Sequence, residues 1–382
     1  MAIRLYDSLT REVRELKASH ADGVFRFYNC GPTVYAPAHI GNFRTFTVND
    51  VLRRLLDKEF GPSKVKHVRN ITDVDDRTIT QAKKEGRPLS EIAQFWTDKF
   101  HADCKALNCL PPTVEPTATG HIKEQVDMIE VLMEKGNAYR APDGSVYFKI
   151  TSFPGYGKLS RIKERELKIT NSAFDADHKD DIGDFALWKA YKPEEDGNVK
   201  WDGPQGASAG RPGWHIECSA LAMRDLGPTL DVHGGGRDLA YPHHECEAAQ
   251  SEVATGKPFV KFWMHVGLVG LDGTKMSKSL GNLVFVEQLA NRAEPTAVRL
   301  ALLGQHYRHD WEWRDELLTR AVSRLSTWRS TSIGGRDSSV IEDVRAALDD
   351  DLNTPGALNA IDDAAHKGFD VGPVATLLGI TL

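Results

Sequence analysis

The spacing of apolar and polar positions divides the chain into alternating strands and helices before any motif is considered. Val24 to Cys30 (VFRFYNC) alternates as a half-buried strand and is broken by Gly31-Pro32. A helix is then predicted from about His39, because Ile40, Phe43, Val48, Val51, Leu52 and Leu55 recur at near-helical spacing until Gly61-Pro62. A second strand, Val65 to Ile71, completes a strand, crossover helix, strand unit. Further helices are predicted to open at Ser90-Glu91 and to run from His121 to Lys135, the latter with Ile122, Val126, Ile129 and Met133 inward and Gly136 as its stop. This rhythm points to a parallel α/β sheet.

From about Asp143 to Gln205 the pattern becomes irregular, with short strand-like pieces such as VYFKI among Gly, Pro and charged residues, as expected of an inserted subdomain. The rhythm then resumes: a helix after Pro212, a strand from Leu230 to His233, a turn at Gly234-Gly235-Gly236, a helix from Pro242 to about Thr255 and a strand from Phe259 to Val266. Beyond Trp311, the spacing of Leu317, Val322 and Leu325, and later of Val344, Ala347 and Leu348, predicts an all-helical tail. The expected division is 1–125 and 206–266 as two halves of one Rossmann-type sheet, 126–205 as the insertion, 267–310 as a lysine-loop region and 311–382 as a helical domain.

A length of 382 residues suits two or three packed units, and 41% hydrophobic with 27% charged residues is a globular composition. No run approaches the roughly 18 apolar residues of a membrane helix, and the N-terminus lacks the apolar core of a signal peptide. Five cysteines without a CxxC pair fit a reducing compartment, so a cytoplasmic protein with no membrane partner is expected. The net charge of -6 argues against a basic nucleic-acid coat. The acidity is concentrated in 311–382, where seven Lys/Arg face twelve Asp/Glu, so a polyanion would bind the front portion.

Candidate chemistry lies in a few strings. Lys275-Met276-Ser277-Lys278-Ser279, between Gly273 and Gly281, sets two ammonium groups three residues apart on a loop, an arrangement able to neutralise a triphosphate and its departing pyrophosphate. His39-Ile40-Gly41-Asn42 sits where a strand turns into a helix; Gly41 leaves room for a nucleotide, and His39 is placed to donate to phosphate near the positive helix end. Gly234, Gly235 and Gly236 followed by Asp238 provide close backbone approach and a carboxylate for ribose hydroxyls. His243 and Glu247 lie four apart on one helical face, while Cys30 and Cys218 offer soft thiolates; by spacing alone these residues do not distinguish a zinc site from buried core positions. Asp73-Val74-Asp75-Asp76 lacks the glycine and terminal glutamate of a calcium loop.

The histidine and lysine strings resemble the HIGH and KMSKS signatures of class I aminoacyl-tRNA synthetases. CGPTVY, VRNITDVDD, YGKLS, DFALWK, GRPGWHIECSALA, DVHGGGRDLAYPHHECEAAQ and KMSKSLGN follow one another as in the cysteinyl-tRNA synthetase family, over roughly Arg4 to Trp328. The resemblance implies ATP-dependent formation of cysteinyl-adenylate and transfer of cysteine to the 3′ end of tRNA, with magnesium accompanying ATP. It implies a zinc ion held by Cys30, Cys218, His243 and Glu247, with Cys30 and Trp214 lining the cysteine pocket. His39, Asn42, Lys275 and Lys278 would serve catalysis, and His39, Gly41, Gly234, Gly235, Asp238 and Lys278 would bind ATP. Asn42 replaces the second histidine of HIGH, which weakens the expected ATP contact, and Cys246 is an unusual thiol within HHECE. The expected acceptor is the end of tRNA, bound by a monomer, and the tail stops where the family usually continues into an anticodon-reading domain. GLDGTKMSKS and HYRHDWEWRDELL are also reminiscent of the mycothiol-pathway ligase that joins cysteine to an aminosugar, so a small-amine acceptor stays open, as does a catalytically silent paralogue.

Overall fold

The computed structural model describes residues 2–161, 179–276, 281–331, 335 and 338–382. Arg4–Asp7 (β1) and Glu12–Glu15 (β2) pair as an antiparallel ribbon, and Phe25–Asn29 (β3) enters the main sheet. Helix α1 (Ile40–Phe60) follows, then β4 (Val65–Arg69) and helices α2 (Asp76–Glu85), α3 (Leu89–Ala106) and α4 (Ile122–Glu134). The insertion is a second, antiparallel sheet of β5 (Ala138–Arg140), β6 (Val146–Phe148), β7 (Phe185–Ala190) and β8 (Gly210–Pro212). After it come α5 (Trp214–Leu226), β9 (Leu230–Gly236), α6 (Glu245–Thr255) and β10 (Val260–Val266). A hairpin of β11 (Val269–Leu271) and β12 (Thr274–Lys275) leads to α7 (Pro295–Leu303) and to the short strand β13 (Trp311–Glu312). The tail holds α8 (Asp315–Ser330), α9 (Ser338–Asp349) and α10 (Thr354–His366).

The main sheet has the order β10-β9-β3-β4, with every pair parallel. Its crossovers leave in opposite directions, from β3 to β4 and from β9 to β10, so the chain reverses between β3 and β9. In sheets of this kind ligands bind at the carboxyl ends of the strands beside such a reversal. The four strands thus fix where Cys30 and the 233–236 segment meet, Cys30 N donating to Gly234 O at 3.3 Å. Phe25, Phe27, Tyr28, Val65, Val68 and Val232 are all buried, the pattern of strands covered on both faces.

Helix α1 is the central column. Its apolar positions Ile40, Phe43, Val48, Val51, Leu52 and Leu55 are buried as the spacing predicted, and Gly61 ends it at φ 88°. Arg44 and Asp50 are buried too, because α7 covers the face turned from the sheet, while Asn49 is buried against Gly234 of β9. Arg44 donates to Leu302 O in the last turn of α7 and to His306 O just beyond it, each at 2.8 Å, and its burial lowers its pKa to about 9. Asp50 pairs with buried Arg299, which also donates to Leu378 O at 2.7 Å and Leu107 O at 2.8 Å. Through such contacts Leu348, Ile361, Leu378 and Ile380 of the tail share one apolar core with α1. No helix among the described residues is long and apolar enough to cross a membrane.

Several elements depart from the sequence expectation. Gly234-Gly235-Gly236 is not a turn but the end of β9, paired with Met264, His265 and Val266 of β10. In α4, Met128, Ile129 and Leu132 are the buried apolar positions, beside buried Gln125, while Ile122, Val126 and Met133 lie at the margin, since the insertion sheet, α5 and α6 leave one side of the helix uncovered. In α8, Val322 is 42% exposed and the inward face is Leu318, Ala321, Leu325 and Trp328; Trp311 belongs to a strand rather than to the helical tail.

Candidate functional site

Cys30 leaves the end of β3, Cys218 lies on α5, and His243 and Glu247 lie before and on α6; the four donor atoms fall within 4.8 Å of one another, all buried. The i,i+4 spacing brings His243 Nε2 to 3.1 Å from Glu247 Oε1. Cys30 Sγ is 3.7 Å from Cys218 Sγ and 3.5 Å from Glu247 Oε1. With zinc distances of about 2.3 Å to sulfur and about 2.0 Å to nitrogen or oxygen, a tetrahedron has edges of about 3.8 Å between sulfurs, about 3.5 Å from sulfur to oxygen and about 3.3 Å from nitrogen to oxygen. The donor set therefore fits zinc in both chemistry and size.

The sequence reading missed how many histidines surround this cluster. His233, midway along β9, sets Nε2 2.9 Å from Glu247 Oε2, and His244 sets Nε2 3.5 Å from Cys30 Sγ, so Cys30, His233, His244 and Glu247 form a second, overlapping donor set. Two thiols make the first set the softer one and the better match to zinc. His215 Nδ1 lies 2.9 Å from His243 Nδ1, which leaves His243 Nε2 to face the cluster; His265 Nε2 holds His244 Nδ1 in the same way at 2.8 Å. Burial lowers the pKa of His243, His215 and His265 to about 3, so the imidazoles are neutral and suited to ligation. Burial also raises Cys30 and Cys218, which keeps the thiols protonated until a cation compensates. The sequence signal was the adjacent His243-His244 pair; nothing local marks His215 or His265, which the sheet brings in from elsewhere.

Trp214 stacks on the His243 ring at 4.2 Å and 21° while 37% exposed, so it forms the outer wall of the cluster. Cys246 points the other way: it lies in the core of the insertion, with Sγ 3.1 Å from the Tyr156 hydroxyl. Cys104 and Cys109 are remote from the cluster, and Cys104 receives an Arg69 N–H at 3.9 Å.

At the other end of the crevice, His39 caps α1. Its Nδ1 accepts from Gly41 N at 3.1 Å, and its own N–H donates to Asn42 Oδ1 at 3.1 Å. The amides of Asn42 and Phe43 go to His39 O, and that of Ile40 to Val284 O. These helix amides are therefore engaged, and anion recognition falls to side chains. With Nδ1 accepting, Nε2 of neutral His39 carries the proton, and the engaged Oδ1 of Asn42 leaves Nδ2 as its donor. Gly41 is required first by His39 itself, whose Cε1 would lie 2.8 Å from an added Cβ. The β9 glycines answer to similar neighbours: a Cβ at Gly234 would overlap the Asn49 amide, one at Gly235 would meet His244 at 2.6 Å, and one at Gly236 would meet Asp238 Oδ1 at 2.6 Å. Asp238 itself is exposed just beyond the strand. Lys275 ends β12, which pairs with β11, the strand that lies against α1; Lys278 lies outside the described residues.

Comparisons agree with this arrangement. The family described as tRNA synthetases class I (C) catalytic domain matches residues 16–323. The cysteine–tRNA ligase of Opitutus terrae is 59% identical over 379 residues, covering 96% of this chain and 82% of that protein. That of Hyphomonas neptunium is 44% identical over 366 residues, covering 94% and 78%. Among solved structures, Mycobacterium tuberculosis methionyl-tRNA synthetase in complex with methionyl-adenylate superposes with a TM-score of 0.65 at 16% identity, over 93% of this chain and 84% of that one. A putative arginyl-tRNA synthetase from Campylobacter jejuni gives 0.59 at 11% identity, over 94% and 93%, and at these identities the likeness speaks for the fold alone. Family match, identity and coverage together make this chain a member of the cysteine–tRNA ligase family of class I tRNA synthetases.

Proposed function

We propose that this chain activates cysteine with ATP, releasing pyrophosphate, and passes the cysteinyl group to the 3′-terminal adenosine of tRNA, with Cys30, Cys218, His243 and Glu247 holding zinc. The observation that carries this reading is the buried donor set, whose spacings of 3.7, 3.5 and 3.1 Å match a thiolate-rich tetrahedron at the carboxyl edge of the sheet. When bound, zinc supplies a contact to the substrate sulfur that a serine hydroxyl cannot match. Shape alone separates near-isosteres by only about 10²-fold, so a thiol-specific contact removes the need for editing.

The chain's own residues do the rest by positioning. Trp214, stacked on His243, closes the pocket wall over the cysteine side chain. His39, through Nε2, and Asn42, through Nδ2, donate to phosphate oxygens, while Asp238 accepts from the ribose beside the end of β9. Lys275 and Lys278 hold the β- and γ-phosphates, with magnesium, and their charge is best matched as pyrophosphate leaves. The amino acid carboxylate attacks the α-phosphorus, the bond to pyrophosphate breaks, and no covalent enzyme intermediate forms.

The test is incubation with ATP and radiolabelled cysteine while offering total tRNA and small amines in parallel. Label on tRNA alone is expected. Label on a small amine alone overturns the tRNA assignment, and the absence of cysteine-dependent ATP–pyrophosphate exchange overturns catalysis altogether.

A further inference from the structure

The hairpin β11–β12 delivers the chain to the lysine loop. It lies against the first turn of α1, where the Val269 side chain is 3.9 Å from where a Cβ on Gly41 would stand. Its two-residue turn, Asp272-Gly273, has φ 55° and 77°, the doubly left-handed turn that suits a tight hairpin. So short a hairpin is not stable alone. Segment 307–313 supplies what it lacks. Tyr307 O accepts from Gly267 N at 2.7 Å, Trp311 N donates to Leu268 O at 3.1 Å, and Trp313 N donates to Gly270 O at 2.9 Å.

Two carboxylates on this segment, two residues apart, hold opposite ends of the hairpin. At the base, Asp310 Oδ1 accepts from Leu268 N at 2.7 Å, and its other oxygen pairs with Arg237 at 2.9 Å, next to Asp238. At the tip, Glu312 Oε2 accepts from Gly273 N at 3.1 Å. The Glu312 side chain crosses Gly270 to reach that amide, and a Cβ at Gly270 would overlap its carboxylate. The limb returning from the loop is tied in as well, since Asn282 Nδ2 donates to Thr274 Oγ1 at 3.0 Å, one residue from the turn.

We propose that Glu312 is a positioning residue for adenylate formation: it fixes the 272–273 turn through Gly273 N–H and so sets where the lysine loop begins relative to His39 and Asp238. Gly270 is glycine because the Glu312 carboxylate occupies the space of its side chain. This rests on the reading above that Lys275 and Lys278 face the triphosphate. Glu312 touches no substrate; it acts through the backbone of the hairpin. A displacement of about 1 Å in a loop of this kind costs about 10²-fold in rate.

The test compares the full chain with Glu312→Ala, Glu312→Gln, Gly270→Ala and the double variant Gly270→Ala/Glu312→Ala by cysteine-dependent ATP–pyrophosphate exchange. Glu312→Ala is expected to lower kcat by about 10- to 10²-fold with cysteine KM unchanged. Glu312→Gln keeps an acceptor for Gly273 N–H and restores most of the rate. Gly270→Ala expels the carboxylate and lowers kcat like Glu312→Ala, and the double variant is no slower than either, because both remove one contact. Equal kcat in wild type and Glu312→Ala overturns the proposal, as does a glutamine variant as slow as the alanine one or an additive double variant. If the wild-type chain itself shows no exchange, the proposed function fails and this inference with it; an active wild type with indifferent variants refutes the inference alone.

Discussion

Cys218→Ser tests the donor cluster most directly, because it changes one atom in a site whose dimensions are known. The native sulfur stands 3.7 Å from Cys30 Sγ, near the edge of a zinc tetrahedron with two thiolates. A serine hydroxyl holds its proton at neutral pH, and metal–oxygen bonds are about 0.3 Å shorter than metal–sulfur bonds, so the ion would be both less compensated and off centre. Altering a supporting residue already costs about 10- to 10²-fold in metal affinity, so loss of a ligand should cost at least about 10²-fold. Elemental analysis after dialysis is expected to give one zinc per wild-type chain and almost none in Cys218→Ser or His243→Ala. Chelation should lower the Tm of the wild type and leave that of the variants unchanged, since binding to the native state at a thousandfold excess over Kd stabilises by about 4 kcal/mol. In ATP–pyrophosphate exchange, preference for cysteine over serine should fall to the shape-only level of about 10²-fold, or about 2.7 kcal/mol. A metal-free variant that keeps a preference above about 10⁴ would refute the thiolate argument, as would wild-type protein without zinc.

Lys278→Ala is expected to slow adenylate formation on the order of 10²–10³ with little change in cysteine KM; unchanged turnover with a raised KM would place the lysine elsewhere. His215→Ala removes the group that orients His243 through Nδ1 and should weaken zinc by about 10- to 10²-fold, measured by competition with a chelator, whereas His265→Ala should act mainly through His244. Asp103 has its pKa raised to about 6, by burial first and then by Glu287. Protonated Asp103 therefore contributes stability below about pH 4, and this is lost as pH rises through 6, so Asp103→Asn should gain on the wild type between those values. After discounting for its partial exposure the gain is about 1 kcal/mol, read from unfolding at pH 4 and pH 7; a constant difference across that range would refute it.

Local pattern alone determined α1, because its apolar positions repeat at helical spacing over its whole length and Gly61 closes it. β3, β4 and β10 were likewise legible as strands, but β3, read as a half-buried alternation, is covered on both faces once the sheet is packed. The functional strings were legible because each keeps its chemistry within a few residues: two lysines on one loop, His243 and Glu247 on one face, Cys218 on the helix that also carries Trp214. Only the tertiary structure decided the remainder. Three successive glycines read as a turn when nothing is known of their neighbours, yet β10 and β3 supply the backbone partners that make them strand, and Asn49 and His244 occupy the space a side chain would need. Val322 has the right spacing for a core position, but α8 packs on α7 and α10 through Leu318, Ala321, Leu325 and Trp328, and helical periodicity does not say which side a distant surface will approach. His215, His233, His244 and His265 gather around one cluster because parallel strands end at a common edge and their crossovers return α5 and α6 to it. The hold of Glu312 on the hairpin likewise joins residues 39 apart, a distance over which a chain has no periodicity to show and only the folded backbone sets the contact.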